Sequence, residues 1–128
     1  MTATAKNYFG SPVLDMDVVV AQGGAVSEAI VLGGNRAYAL ITPALEALTA
    51  KIAFYASVDG VTWSTEHVVY AGAEYTLPVL DPTKTYPLMV ELGALYGYTF
   101  LKLECLNAAG AGLVQTGVRT FKLLYGPA

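Results

Sequence analysis

Short apolar runs alternate with polar positions along most of the chain, and turn residues punctuate them. In residues 13–20, Leu14, Met16, Val18 and Val20 fall on one side and Asp15 and Asp17 on the other. A period of two is the mark of a half-buried strand. Gly23-Gly24 breaks this run. Residues 26–32 form a second run, closed by Gly33-Gly34-Asn35. Those residues suit the positive φ angles of a tight hairpin turn. Residues 38–42 follow, and Pro43, which has no N–H to donate to a ladder, ends them.

Residues 51–58 predict the clearest central strand. Ile52, Phe54 and Ala56 share one face, and Lys51, Tyr55 and Ser57 share the other. Asp59-Gly60 then turns the chain. Residues 66–70 and 75–79 predict a hairpin around Ala71-Gly72, and residues 86–92 a further run. Residues 98–106 put Leu101, Leu103 and Cys105 inward and Lys102 and Glu104 outward. Residues 117–125 put Phe121, Leu123 and Tyr125 inward and Lys122 outward.

These runs amount to about eight or nine strands at the spacing of a sandwich or barrel. The expected fold is therefore all-β, an antiparallel β-sandwich of jelly-roll type. Residues 44–50 (ALEALTA) have helix-forming composition, but the stretch holds at most two turns. Residues 1–12 are polar and end in Gly10-Ser11-Pro12, which predicts an extended N-terminal arm. Residues 13–128 then make a single sandwich domain, with no internal repeat and no linker to divide it.

Composition sharpens this picture. The chain has 128 residues, enough for a core without disulfides or metals. Hydrophobic residues make up 55% and charged residues only 13%, about half the usual charged share. So few charges leave a surface of small neutral side chains, or one covered by partners. The second option predicts a symmetric homo-oligomer. The net charge is −3 and no basic cluster exists, which argues against nucleic-acid binding and against an anionic membrane surface. The N-terminus, MTATAKNYFGSPV, lacks the apolar stretch of a signal peptide, so synthesis in the cytoplasm is expected. No apolar run is long enough to span a membrane as a helix.

Candidate chemistry is sparse. His67 is the only histidine, without a nucleophile motif beside it, and reads as a strand-surface or hydrogen-bonded side chain. Cys105 is the only cysteine and lies at an inward position, where a thiol behaves as a small hydrophobe. Asp15 and Asp17 share a strand face. Calcium needs about six oxygens, so the pair reads as a solvated edge. Trp63 follows the turn of Ser57-Val58-Asp59-Gly60. An exposed Trp there would stack on a sugar ring, while the hairpin pattern favours a buried Trp closing one end of the sandwich. The nine tyrosines and four phenylalanines fall mainly on strand runs, where packing explains them. The Gly pairs lack the Lys and following helix of a phosphate loop. No catalytic, cofactor-binding or metal-ligating residue is assigned, and the expected role is not enzymatic.

Ile41-Thr42-Pro43-Ala44 followed by residues 49–63 (TAKIAFYASVDGVTW) resembles a pattern of tailed-bacteriophage structural proteins. Residues 98–104 (YTFLKLE) and 115–124 (QTGVRTFKLL) are similar to the strands that close that pattern. The resemblance is to capsid decoration, or cement, proteins. It implies a jelly-roll or sandwich bound to the outer surface of the head. The implied partners are the major capsid protein and further copies of the chain, trimer preferred over dimer. It carries no catalytic residues. A competing class is a tail-fibre or carbohydrate-binding module, because a Ser-x-Asp-Gly-x-x-Trp turn also occurs in sugar-binding sandwiches.

Overall fold

The computed structural model describes residues 6–8, 11–46, 49–77, 88–92, 95 and 97–127. Parts of the predicted arm (residues 1–5 and 9–10), Ala47 and Leu48 of the ALEALTA stretch, Val79 and Tyr86 lie outside the described residues. The described residues form ten strands: β1 (Lys6–Tyr8), β2 (Ser11–Val20), β3 (Ile30–Val31), β4 (Asn35–Thr42), β5 (Lys51–Ser57), β6 (Val69–Tyr70), β7 (Ala73–Glu74), β8 (Leu88–Glu91), β9 (Phe100–Leu106) and β10 (Arg119–Pro127). No helix occurs among the described residues.

The strands form a five-stranded sheet in the order β1-β2-β10-β4-β8, a three-stranded sheet in the order β3-β9-β5, and the small β6–β7 ribbon. Every strand pairing is antiparallel. The free edge of β5 is bonded by residues 63–77: Ser57 bridges Trp63, Val68 N–H donates to the Phe54 carbonyl at 2.7 Å, and Ala53 bridges Thr76. β2 therefore pairs with β10, β3 with β9, β4 with β8, and β5 with the 63–77 segment. From β2 and β10 inward, the pairs nest one inside the next. One long hairpin folded over on itself in this way is a jelly roll.

Alternation places the core. Val18 and Val20 of β2, Leu40 of β4 and Phe121 and Leu123 of β10 face Ile52 and Phe54 of β5 and Leu101, Leu103 and Cys105 of β9, all buried in one cluster. Each fully buried side chain of this size contributes about 1.5–3 kcal/mol. Leu32, Leu77, Leu92 and Leu95 close the ends of the layer. Leu14, predicted inward, is exposed, so the buried stripe of β2 begins at Met16.

Three local features depart from the simple alternating pattern. Gly33-Gly34-Asn35 does form a tight turn, with Asn35 N–H donating to the Leu32 carbonyl at 3.0 Å and Gly33 at φ +61°. It joins two sheets, however, since β3 pairs with β9 and β4 with β10 and β8; the predicted hairpin is a crossover. The 26–32 run is a strand interrupted in its middle. Ser27 and Leu32 donate to the Leu103 and Thr99 carbonyls, while Glu28 N–H turns away to Val19. Finally, the register of β10 on β4 skips Tyr38. This bulge lets Ala37 and Leu40, three residues apart, both point into the core.

Lys6–Tyr8 pairs with Ser11–Val13, so β2 starts two residues before the predicted domain boundary.

Candidate functional site

The outer face of the β3-β9-β5 sheet carries a cluster of polar side chains around the one histidine. Alternation that turns Leu101, Leu103 and Cys105 inward turns Lys102 and Glu104 outward on β9, opposite Tyr55 and Ala53 of β5. Residues 63–74 bring Trp63, His67 and Glu74 to the same face.

His67 lies between two carboxylates. Its Nδ1 is 2.5 Å from Glu74 Oε2 and its Nε2 is 2.6 Å from Glu104 Oε1. The Tyr55 ring packs on the imidazole at 4.5 Å, and the Tyr55 hydroxyl donates to Glu104 Oε1 at 3.0 Å. Burial of the imidazole pushes its pKa down, but the bonds to Glu104 and Glu74 and their charges outweigh this, and the net shift is upward. Burial, then the bond to Glu104, raises the Tyr55 pKa, so the phenol keeps its proton. The hydrogen-bonded histidine expected from the sequence is thus present, with partners 7 and 37 residues away. Among the described residues, no group of three or more His, Cys, Asp or Glu is placed to hold a metal ion.

The turn after β5 is tied on itself. Asp59 Oδ1 accepts from the N–H groups of Thr62 and Val61, each at 2.8 Å, and from Ser57 Oγ at 3.0 Å. Gly60 N–H donates to Ser57 Oγ at 2.9 Å. The bonds from Thr62, Val61 and Ser57 hold the Asp59 carboxyl below its usual range. Gly60 has φ +78°, and a Cβ there would lie 3.1 Å from the Phe100 ring, so both backbone and space call for glycine. The fixed turn leaves Val58 95% and Val61 81% exposed.

Trp63 is not a core residue. It is half-buried on the outer face, with Lys102 Nζ 4.5 Å from the ring centroid, a cation–π contact. This corrects the expectation of a buried Trp closing the sandwich. One face of the indole is covered by Lys102.

The remaining candidates behave as structural residues. Lys122 Nζ sits 2.8 Å from Asp17 and 3.8 Å from Asp15, a cross-strand surface pair. Gln115 is fully buried. Its Oε1 accepts from Glu46 N–H and Arg119 Nε, both at 3.0 Å, and its Nε2 donates to the Leu113 carbonyl. The Gln and Arg of the QTGVR stretch are therefore bonded partners. Cys105 is buried, and burial followed by the Glu104 charge pushes its thiol up to about 12. A thiolate is the reactive form. Ellman's reagent at pH 8 is expected to leave the native protein unlabelled and to titrate one thiol in denaturant. Rapid labelling of the native protein would contradict the buried placement.

Fold and face together define a jelly-roll β-sandwich with a clustered His–carboxylate site and a rigid apolar tip. No family model, curated protein or solved structure matches the chain. The sequence did not signal the His67 cluster, because its members sit on separate elements. It did place Glu104 and Tyr55 outward, which was the available clue.

Proposed function

We propose that this protein is a bacteriophage virion structural protein, a capsid decoration or cement protein that binds the outer surface of the head and stabilises the shell. The observation that carries the reading is the apolar tip: Val58 and Val61 stand in solvent on a turn held by its own hydrogen bonds. An exposed apolar contact that is already ordered loses little entropy on docking. Low charge content supports the same reading, since few charged groups need desolvation at a contact. The sequence resemblance of residues 41–63, 98–104 and 115–124 adds the head as the partner.

The mechanism is linkage. A protein that binds the assembled lattice, and not its separated subunits, adds its binding free energy to the assembled state. Copies joined in a homo-oligomer, trimer preferred over dimer, convert several weak contacts into a strong one. The major capsid protein is the partner, the outer capsid surface is the location, and the role requires no turnover.

The test is binding to expanded heads. Purified protein is expected to saturate them at a stoichiometry set by the lattice symmetry, and decorated heads are expected to survive heating that opens bare ones. Location on the tail, or binding to glycans without binding to heads, would overturn the reading.

A further inference from the structure

The β6–β7 hairpin is short and projects beyond the residues that bond to β5. Each strand is two residues long, all four strand residues are exposed, and the turn places Ala71 at φ +55° and Gly72 at φ +83°. Such an element belongs to the low-stability end of a fold unless something fastens it. The base of the hairpin is tied to β5 through Val68 and Leu77. Beyond the base, a tie to the outer face is His67, immediately before the hairpin, bonded to Glu74 on β7 and to Glu104 on the sheet.

We infer that His67 is a pH-operated clasp, which fastens the β6–β7 hairpin to the outer face of the sheet while its imidazole is protonated and releases it when the imidazole is neutral. The reason is the donor count. A neutral imidazole has one N–H and one lone pair, and only the imidazolium donates from both nitrogens. Both nitrogens of His67 face carboxylate oxygens at 2.6 Å or less. When the proton leaves, one lone pair confronts a carboxylate oxygen and that contact opens. Glu104 is the better held of the two, 14% exposed and bonded to Tyr55, whereas Glu74 is 48% exposed. The contact that opens is therefore the one to Glu74, on the hairpin.

The groups around the ring are Tyr55 from β5, Glu74 from β7, Glu104 from β9 and the neighbouring Glu66. Lys102 directs its charge to Trp63. Tyr55 keeps its proton, and His67 is the group whose charge changes as pH rises above the ordinary histidine value. The sign follows from the raised folded pKa. The contribution of the clasp is complete below the ordinary histidine value and is lost as pH rises through the raised one.

The experiment is NMR on the whole chain, in which the single histidine makes assignment direct. The imidazole is expected to titrate above the ordinary value, with both nitrogens protonated on the acid side. Hydrogen exchange, corrected for its intrinsic pH dependence, reports the hairpin through the Tyr75 amide, which donates to Val68. The Cys105 amide, bonded to Ala25, is the core reference. From pH 6 to 9, protection at Tyr75 is expected to fall about tenfold, the scale of a charge-assisted hydrogen bond, while Cys105 holds. In Glu74→Gln, a change at a half-exposed side chain, the pH step is expected to disappear. Three results would each overturn the clasp: titration at or below the ordinary value, an equal fall at Cys105, or an unchanged step in Glu74→Gln.

Discussion

Replacing Val58 and Val61 together by Asp is expected to weaken binding to capsids at least about a hundredfold and to leave folding unchanged. The two halves have separate causes. In the free protein both side chains are almost wholly in water, so no core contact is lost. Surface changes of this kind move stability by roughly 0.5 kcal/mol or less. The turn also survives, because its bonds use Ser57, Asp59, and the backbone of Gly60, Val61 and Thr62, not the valine side chains. In the proposed contact with the shell, each valine would contribute about 1.5–3 kcal/mol on burial, and each new carboxylate would have to be desolvated as well. Two such losses reach at least about a hundredfold at 1.4 kcal/mol per decade. Sedimentation of variant protein with heads measures the first half, and urea denaturation the second. Undiminished binding by a folded double variant would remove the tip from the contact.

Phe121→Ala is expected to destabilise the protein by about 3–5 kcal/mol. Phe121 is completely buried on β10, the strand between β2 and β4, and lies opposite Val18 in the register. Truncation leaves a void that strands fixed on both sides cannot close. The loss is a large part of the roughly 5–15 kcal/mol that a domain possesses. A fall in Tm of roughly 10–20 °C should accompany it. Val118→Ala, one position before β10 and exposed, is the control and should change stability by no more than about 0.5 kcal/mol. A Phe121→Ala midpoint in urea close to that of the parent would show that β10 is not the packed centre of the sheet.

Strands were legible where one face is buried and the other wet. Leu101, Leu103 and Cys105, then Phe121 and Leu123, announced β9 and β10 with the correct inward sides. The turns at Asp59-Gly60 and Ala71-Gly72 were legible because left-handed backbone narrows the residue choice. Pairing was less so. Gly33-Gly34 specifies a turn, yet whether its flanking strands pair together depends on β9 and β10, distant in sequence. The alternating pattern starts a strand at Tyr38, which is the bulge inside one. Trp63 follows a turn, which does not say which sheet face it meets, and the group beside it, Lys102, comes from another strand. The His67 site was hidden for the same reason: Glu74 is near in sequence, but Glu104 reaches it only through the β5–β9 pairing.

The nested pairing of strands has a kinetic consequence. β2 lies near the start of the described chain, and its principal partner, β10, near the end. During synthesis the part of β2 from Leu14 to Val20 has no ladder partner while more than half of the jelly roll is still being made. Closure joins segments separated by nearly the whole length of the domain, and such distant contacts place folding in the range of milliseconds to seconds. The chain therefore passes through a period in which Val18, Val20 and the apolar face of β4 have no cover. Asp15 and Asp17, exposed on the other side of β2, are charges of the kind that discourage edge-to-edge pairing.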